Sequence, residues 1–177
     1  MAVTAELDRL RAGADRAAVL AAFDALEPAG PDAVRGLWRG AEVPTGHPFD
    51  GLLRAHGWWG KAVLDADAVH PLLVGRRPRP VQPALVPFGL LARAPGPARS
   101  RPARVAGVLA RPLLRTSRPA ARVRVVVHRG VATAALVYDR LPVLDVLRAD
   151  GPDRLLGLMD ARGVPEPFPF LLERDRG

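Results

Sequence analysis

Residues 121–138 read ARVRVVVHRGVATAALVY, and this stretch decides the fold class. In ARVRVVVH, Arg122 and Arg124 fall on one side of an extended chain while Val123, Val125 and Val127 fall on the other, because successive side chains of a strand point to opposite faces. Valines in phase on one face and charges on the other describe a strand with one side in a core and one in water, the pattern of antiparallel sheets. Arg129-Gly130 interrupts the run before AALVY resumes it, which predicts a hairpin turn. Tyr138, the one tyrosine of the chain, alternates in phase with Leu136 and Ala134. It therefore points inward, and its hydroxyl needs a partner.

The same grammar extends outward. LWRGAEV, WWGKAVL, HPLLVG and ARVAGVLA before the hairpin, and PVLDVL, RLLGLMD and FPFLLER after it, are short apolar runs bounded by Gly or Pro. Each is a predicted strand. Many short strands and few helices predict a mainly β chain, closed as an antiparallel barrel or stacked as a sandwich. A barrel of this size has room for one small ligand. Residues 4–26 differ: Leu7, Leu10, Ala14, Ala18, Ala21 and Ala25 recur at helical spacing and Pro28 ends the pattern, so residues 1–30 form an N-terminal helix and 31–177 one barrel domain. Residues 48–56 predict a short helix, and the stretch from Gly75 to Pro102, dense in Pro, Arg and Gly, predicts a long loop with one turn of structure at VPFGLLA.

Composition narrows the function. The 177 residues contain no Cys, no Ile and no Asn, and of 26 basic residues 25 are Arg, the usage of a GC-rich bacterial coding sequence. Without Cys there is no disulfide, thiolate metal site or Cys nucleophile. The N-terminus carries charges throughout and lacks a signal pattern, and no apolar run reaches the roughly 20 residues that span a bilayer. The chain is expected to be cytoplasmic. Thirteen arginines lie between Arg76 and Arg129, and no acidic residue lies between Asp67 and Asp139. Aromatic residues do not interleave with these arginines, which argues against nucleic acid as the partner.

The single lysine, Lys61, closes the segment 36–61, GLWRGAEVPTGHPFDGLLRAHGWWGK. Trp38, set between Gly36 and Gly40, reads as a plug for one end of a barrel. PTGHP is a stiff loop that presents His47, and Asp50 follows three residues on. Asp50 has two readings: it orients the imidazole and relays a proton, or it caps the helix. On a regular strand Trp59 and Lys61 share a face and Trp58 faces the other way. A lysine beside an indole can titrate where an arginine cannot. Asp145, in PVLDVL, is an acid among apolar neighbours and is costly unless paired. Lys61, Tyr138 and Asp145, if they converge, make a proton-transfer set, with His47 and Asp50 as a second relay. Trp58, Trp59, His70, Asp145 and Met159 are the predicted ligand contacts. No metal-ligand pattern, phosphate loop or dinucleotide fingerprint is present, and no cofactor is expected.

GLWRGAEVPTGHPFDGLLRAHGWWGK resembles the GXWXG domain, and VQPALVPFGLLAR onward through FPFLLER resembles the domain of unknown function 4334 that follows it, which divides the barrel into 31–75 and 76–177. The Gly-x-Trp element is also similar to that of lipocalins, fatty-acid-binding proteins and nitrobindins. This resemblance implies a lipocalin-like antiparallel β-barrel that holds a lipophilic ligand or haem, for which His70 or His128 would be the iron ligand. The expected function is binding of a small lipophilic carbonyl or carboxylate compound, with acid/base chemistry on it (isomerisation, cyclisation or dehydration). The alternative is a carrier or sensor without catalysis. The sequence leaves the oligomeric state open, a homodimer included.

Overall fold

In the computed structural model, which describes residues 2–177 and their side chains from Leu7 onward, two helices, α1 (Ala2–Ala12) and α2 (Arg16–Ala25), precede the sheet. Met1 lies outside the described residues. There follow β1 (Glu27–Pro28), β2 (Gly36–Glu42), α3 (Leu52–Ala55), β3 (Trp58–Val63), β4 (Val69–Val74) and β5 (Arg79–Pro80). A helical segment comes next, α4 (Phe88–Arg93), α5 (Pro95–Ala98) and α6 (Arg101–Leu114). Five long strands follow without another helix: β6 (Ala121–His128), β7 (Val131–Tyr138), β8 (Val143–Asp150), β9 (Arg154–Ala161) and β10 (Phe168–Asp175). No helix among the described residues is long and apolar enough to cross a membrane.

The strands close on themselves. Neighbours run β8-β7-β6-β4-β3-β2-β10-β9, and β9 pairs again with β8, giving an antiparallel barrel of eight strands with β1 and β5 as two-residue additions. The hairpin at the centre of the sequence argument pairs from Ala121↔Tyr138 to His128↔Val131. Its turn residues Arg129 (φ 50°) and Gly130 (φ 79°) are both left-handed, as a two-residue turn matched to strand twist requires. The seam is at β4–β6, where the ladder is a single pair, Val69↔Ala121.

Alternation sorts each strand into an inner and an outer face. Ala134, Leu136, Leu147, Leu155, Phe170 and Leu172 pack inside. Ala135, Val146, Leu156, Leu158 and Leu171 face outward and are covered by Leu7, Leu10, Val19 and Phe23 of α1 and α2. The helix expected over 4–26 is thus two helices on the barrel's outer wall. Gly13, at φ +117°, breaks the run, and Asp15 restarts it by accepting from Ala18 N at 2.8 Å, an N-cap. The second departure is ARVAGVLA, which lies in α6 and is no strand. Ser100 caps that helix, and Arg101–Leu114 as a whole holds three each of Ala, Leu and Arg, good helix formers. A short apolar run cannot be typed by period alone.

Two glycines set how β2 and β3 approach each other. A Cβ on Gly40 would stand 2.3 Å from the Trp58 ring, and one on Gly60 (φ +152°) would stand 1.9 Å from the Trp38 carbonyl oxygen. The register slips on both sides of Gly60 in its pairing with β4, a bulge that flips the next side chain to the other face. Trp38 is 1% exposed and donates its indole N–H to Val34 O at 2.8 Å, with the Arg174 guanidinium 4.2 Å over its ring. It is the plug read from the sequence.

Gly60→Ala should therefore cost about 3 kcal/mol or more, from backbone strain and the clash together. Gly46→Ala, at φ +81° with nothing within 4 Å of the added Cβ, should cost about 1 kcal/mol from strain alone. Urea denaturation of both variants measures the difference.

Candidate functional site

Lys61 enters the barrel from β3, opposite Trp38 in the β2 ladder, and is 4% exposed. Its ammonium donates to Asp145 Oδ2 at 2.7 Å, to Pro71 O at 3.1 Å and to Tyr138 OH at 3.3 Å. The Tyr138 hydroxyl in turn donates to the same Asp145 oxygen at 3.0 Å. The ring centroids of Phe170, Trp58 and Tyr138 lie 4.9, 5.6 and 5.8 Å from Nζ, so aromatic faces surround the cation where hydrogen bonds do not. Lys61, Tyr138 and Asp145 thus converge, drawn from β3, β7 and β8. Burial, first, and then the Asp145 charge and hydrogen bond hold the Tyr138 hydroxyl well above its ordinary pKa of 10.0; it stays a protonated donor. Both bonds to Asp145 fall on Oδ2, and Oδ1 has no protein donor among the described residues.

The bulge at Gly60 rearranges the tryptophans relative to a regular strand. Trp58 turns inward, bonds Gly60 O through its indole N–H and meets Phe170 edge-on at 5.9 Å. Trp59 lies under the Arg39 guanidinium, 5.6 Å from its ring, where Arg39 is exposed. The expectation that Trp59 shares the face of Lys61 is corrected: Trp58 does. Met159, opposite Asp145 on β9, bridges the barrel interior and the apolar cluster of Phe49, Leu52 and Phe168 at the mouth.

His47 and Asp50 stand apart from this group. The His47 ring accepts from Phe49 N at Nδ1 (3.0 Å) and donates from Nε2 to Glu166 O (3.1 Å), so backbone occupies both nitrogens and fixes the tautomer. Burial pushes its pKa below the ordinary 6.5. Asp50 Oδ2 accepts from Thr45 N and Gly46 N at 3.0 and 2.7 Å, tying its own loop, while Oδ1 is buried without a partner. Glu42 closes the same turn by accepting from Gly51, Leu53 and Arg54 N–H groups; burial raises its pKa despite them. His70 is half-buried on β4 with Nδ1 unpartnered.

A cavity of about 500 Å³ lies beyond Trp58, at the barrel mouth. Its floor is Trp58, Leu72 and Val74, and its roof is the helical segment, with Leu91, Ala103, Ala106 and Gly107 facing in. Nearly all of the lining is aliphatic; the two polar members are His56 and Arg111. His56 Nε2 donates to Ala98 O at 2.9 Å, and Arg111 donates to His56 O at 2.7 Å, so these residues also hold the roof down. Lys61, Tyr138 and Asp145 are not among the lining residues; Trp58 separates them from the space. His56 and Arg111 escaped the sequence reading because the first sits in a Leu-rich turn and the second is one of 25 arginines. Neither His70 nor His128 faces the cavity. His128 packs edge-on against Phe23 of α2, so neither of the two is placed to ligate a haem in this cavity. Among the described residues no three His, Cys, Asp or Glu side chains gather as a metal site.

This is a closed antiparallel barrel with a plugged end, a filled and charged middle, and a roofed apolar cavity at the mouth. Residues 21–77 match the family model of GXWXG proteins and residues 119–174 that of a domain of unknown function, DUF4334. The chain thus carries a GXWXG region followed by a DUF4334 region, and the roof helices fall between the two. A crystal structure of a protein from Thermomonospora curvata is similar over 99% of this chain and 100% of its own, with 28% identity and a TM-score of 0.73. No curated protein matches the sequence.

Asp145→Asn should destabilise the fold by about 3–5 kcal/mol, because it strands a buried cation, whereas Lys61→Met combined with Asp145→Leu should recover most of that loss. Chemical denaturation of the three proteins checks it. A second expectation follows from His47. Its folded pKa lies below 6.5, so the unfolded chain takes up a proton first as pH falls; stability is whole above 6.5 and is lost below it. The slope of urea midpoint against pH between 7 and 5 should shrink in His47→Gln.

Proposed function

We propose that the protein binds an elongated lipophilic molecule in the roofed cavity, with a carbonyl or carboxylate end at Arg111. The observation that carries this reading is the lining: an aliphatic space of about 500 Å³ with one cationic side chain in it. That volume and that mixture, apolar walls with few polar groups, suit a small-molecule site. Arg111 spends one hydrogen bond on His56 O and makes no other among the described residues, which leaves guanidinium N–H groups for an oxygen acceptor. His47, held by the Phe49 N–H and Glu166 O, and Asp50, tied to its own loop, serve to shape the mouth. On this reading the protein is a carrier or sensor, and the Lys61–Asp145–Tyr138 group holds the floor.

A second reading has the protein act on the ligand, and the convergence of those three residues favours it. With Trp58 swung aside, Asp145 would remove a proton from the carbon beside a carbonyl. Lys61 and Tyr138 would hydrogen-bond the enolate oxygen, and Asp145, after exchanging its proton with solvent, would return one at the γ carbon of a β,γ-unsaturated ligand. Atoms and charge balance without a cofactor, and the product is a double-bond isomer.

Titration of tryptophan fluorescence with dodecanoic acid, dodecanal and dodecane tests the first reading. All three should bind saturably; Ala103→Phe, which grows into the cavity, should weaken all three. Arg111→Leu should weaken the acid about tenfold, or about 1.4 kcal/mol, and leave the alkane unchanged. Absence of saturable binding, or indifference to Ala103→Phe, would sink it. Incubation of 4-dodecen-2-one, a β,γ-unsaturated ketone, in deuterated buffer separates the second reading: conversion to the conjugated isomer with deuterium entering the ligand, and both lost in Lys61→Met, supports catalysis, while binding without exchange leaves a carrier.

A further inference from the structure

The roof has an outer surface that neither reading uses. α6 turns Ala103, Ala106, Gly107, Arg111 and Leu114 toward the cavity. On its other side Val105, Leu109 and Leu113 follow one another at i, i+4, i+8, one above the next on a helix face. Leu109 and Leu113 are 72% and 83% exposed; away from this segment, Leu64, Val125 and Val127 are the large apolar side chains left exposed among the described residues. Val108, on the same helix, is 48% exposed. The segment that carries this patch holds charges of one sign. Ten arginines run from Arg76 to Arg118 without one acidic residue, and none of the ten makes an ion pair among the described residues. Of the arginines outside this segment, eight meet a carboxylate, among them Arg122, Arg124, Arg129, Arg154, Arg174 and Arg176, each on an aspartate.

We infer that this face docks on an anionic lipid surface. An aliphatic stripe edged by arginines is the composition of a helix that lies in a membrane interface, its apolar side chains among the acyl chains and its cations at the phosphates. Arg101 and Arg104 sit beside the stripe and carry no carboxylate partner that would have to be displaced. Two other surfaces fit less well. Single-stranded nucleic acid needs aromatic stacking platforms, and the patch offers Val and Leu. Tight protein interfaces centre on Trp, Tyr and buried Arg, and this patch has a broad aliphatic centre with arginines at the rim. The position of the cavity gives docking a use. α6 contributes to both the roof and the stripe, so a lipophilic ligand dissolved in the bilayer would meet the cavity by crossing this helical layer. Docking concerns the outer surface and does not depend on which molecule the cavity holds.

Flotation of the full chain with vesicles tests the inference. Vesicles of phosphatidylcholine mixed with phosphatidylglycerol should carry the protein at low salt, and vesicles of phosphatidylcholine alone should carry at least tenfold less. Added salt should release it. Leu109→Glu with Leu113→Glu, both on exposed positions, should lose at least tenfold of the vesicle binding while dodecanoic acid still binds in solution as before. That second readout separates failure of docking from failure of the cavity reading. Equal partition onto both vesicle types, no partition at low salt, or full partition of the double variant would each overturn the inference. So would sedimentation showing a dimer that the double variant splits, because a second copy of the chain would then cover the stripe.

Discussion

A charged pair inside a small barrel constrains everything around it. Lys61 and Asp145 meet at 2.7 Å with both side chains almost wholly enclosed, and each charge removed from water carries a desolvation penalty of several kcal/mol unless its remaining groups are satisfied. The surroundings supply that satisfaction: Pro71 O and Tyr138 OH for the ammonium, a phenol donor for the carboxylate, and three aromatic faces for the rest of the cation. The consequence is a barrel whose middle is filled. Space for a ligand is displaced to the mouth, above Trp58, where it needs a roof of its own. The inserted helices α4–α6 supply it.

The glycines near that pair have the same origin. Gly60 lets β3 press against the Trp38 carbonyl, and Gly40 leaves room for the Trp58 ring. The bulge they permit turns Trp58 inward over Lys61 in place of Trp59. Trp38 at one end and Trp58 at the other thus bracket the ion pair along the barrel, and the first motif of the chain is a packing solution before it is a chemical one.

The strands were legible because their alternation is strong and their turns are marked by Gly and Pro; the 121–138 hairpin and the three strands after it appear where the pattern places them. Lys61, Tyr138 and Asp145 were legible as a set because each is a polar group inside an apolar strand, and such groups must find one another. Trp58 was misplaced because a bulge adds one residue, and the period of two then inverts every face beyond it. ARVAGVLA, read as a strand, is helical because a run of Ala, Val and Leu satisfies both periods, and its tertiary role as a roof decides between them. His56 and Arg111 could not be read at all. Their function arises from a roof packed over residues far away in sequence, and arginine usage throughout the chain hides any single one.

One measurement reaches the centre of this account. Lys61 is the only lysine, so protein made with ¹⁵N-labelled lysine has one labelled side chain, and its Nζ signal needs no assignment. The account predicts a charged ammonium whose protons exchange slowly with water, coupled across hydrogen bonds to Asp145, and still present when dodecanoic acid fills the cavity. A rapidly exchanging or neutral amine, or a signal that dodecanoic acid abolishes, would contradict it: Lys61 would then be open to the ligand and the barrel hollow where it is described as filled.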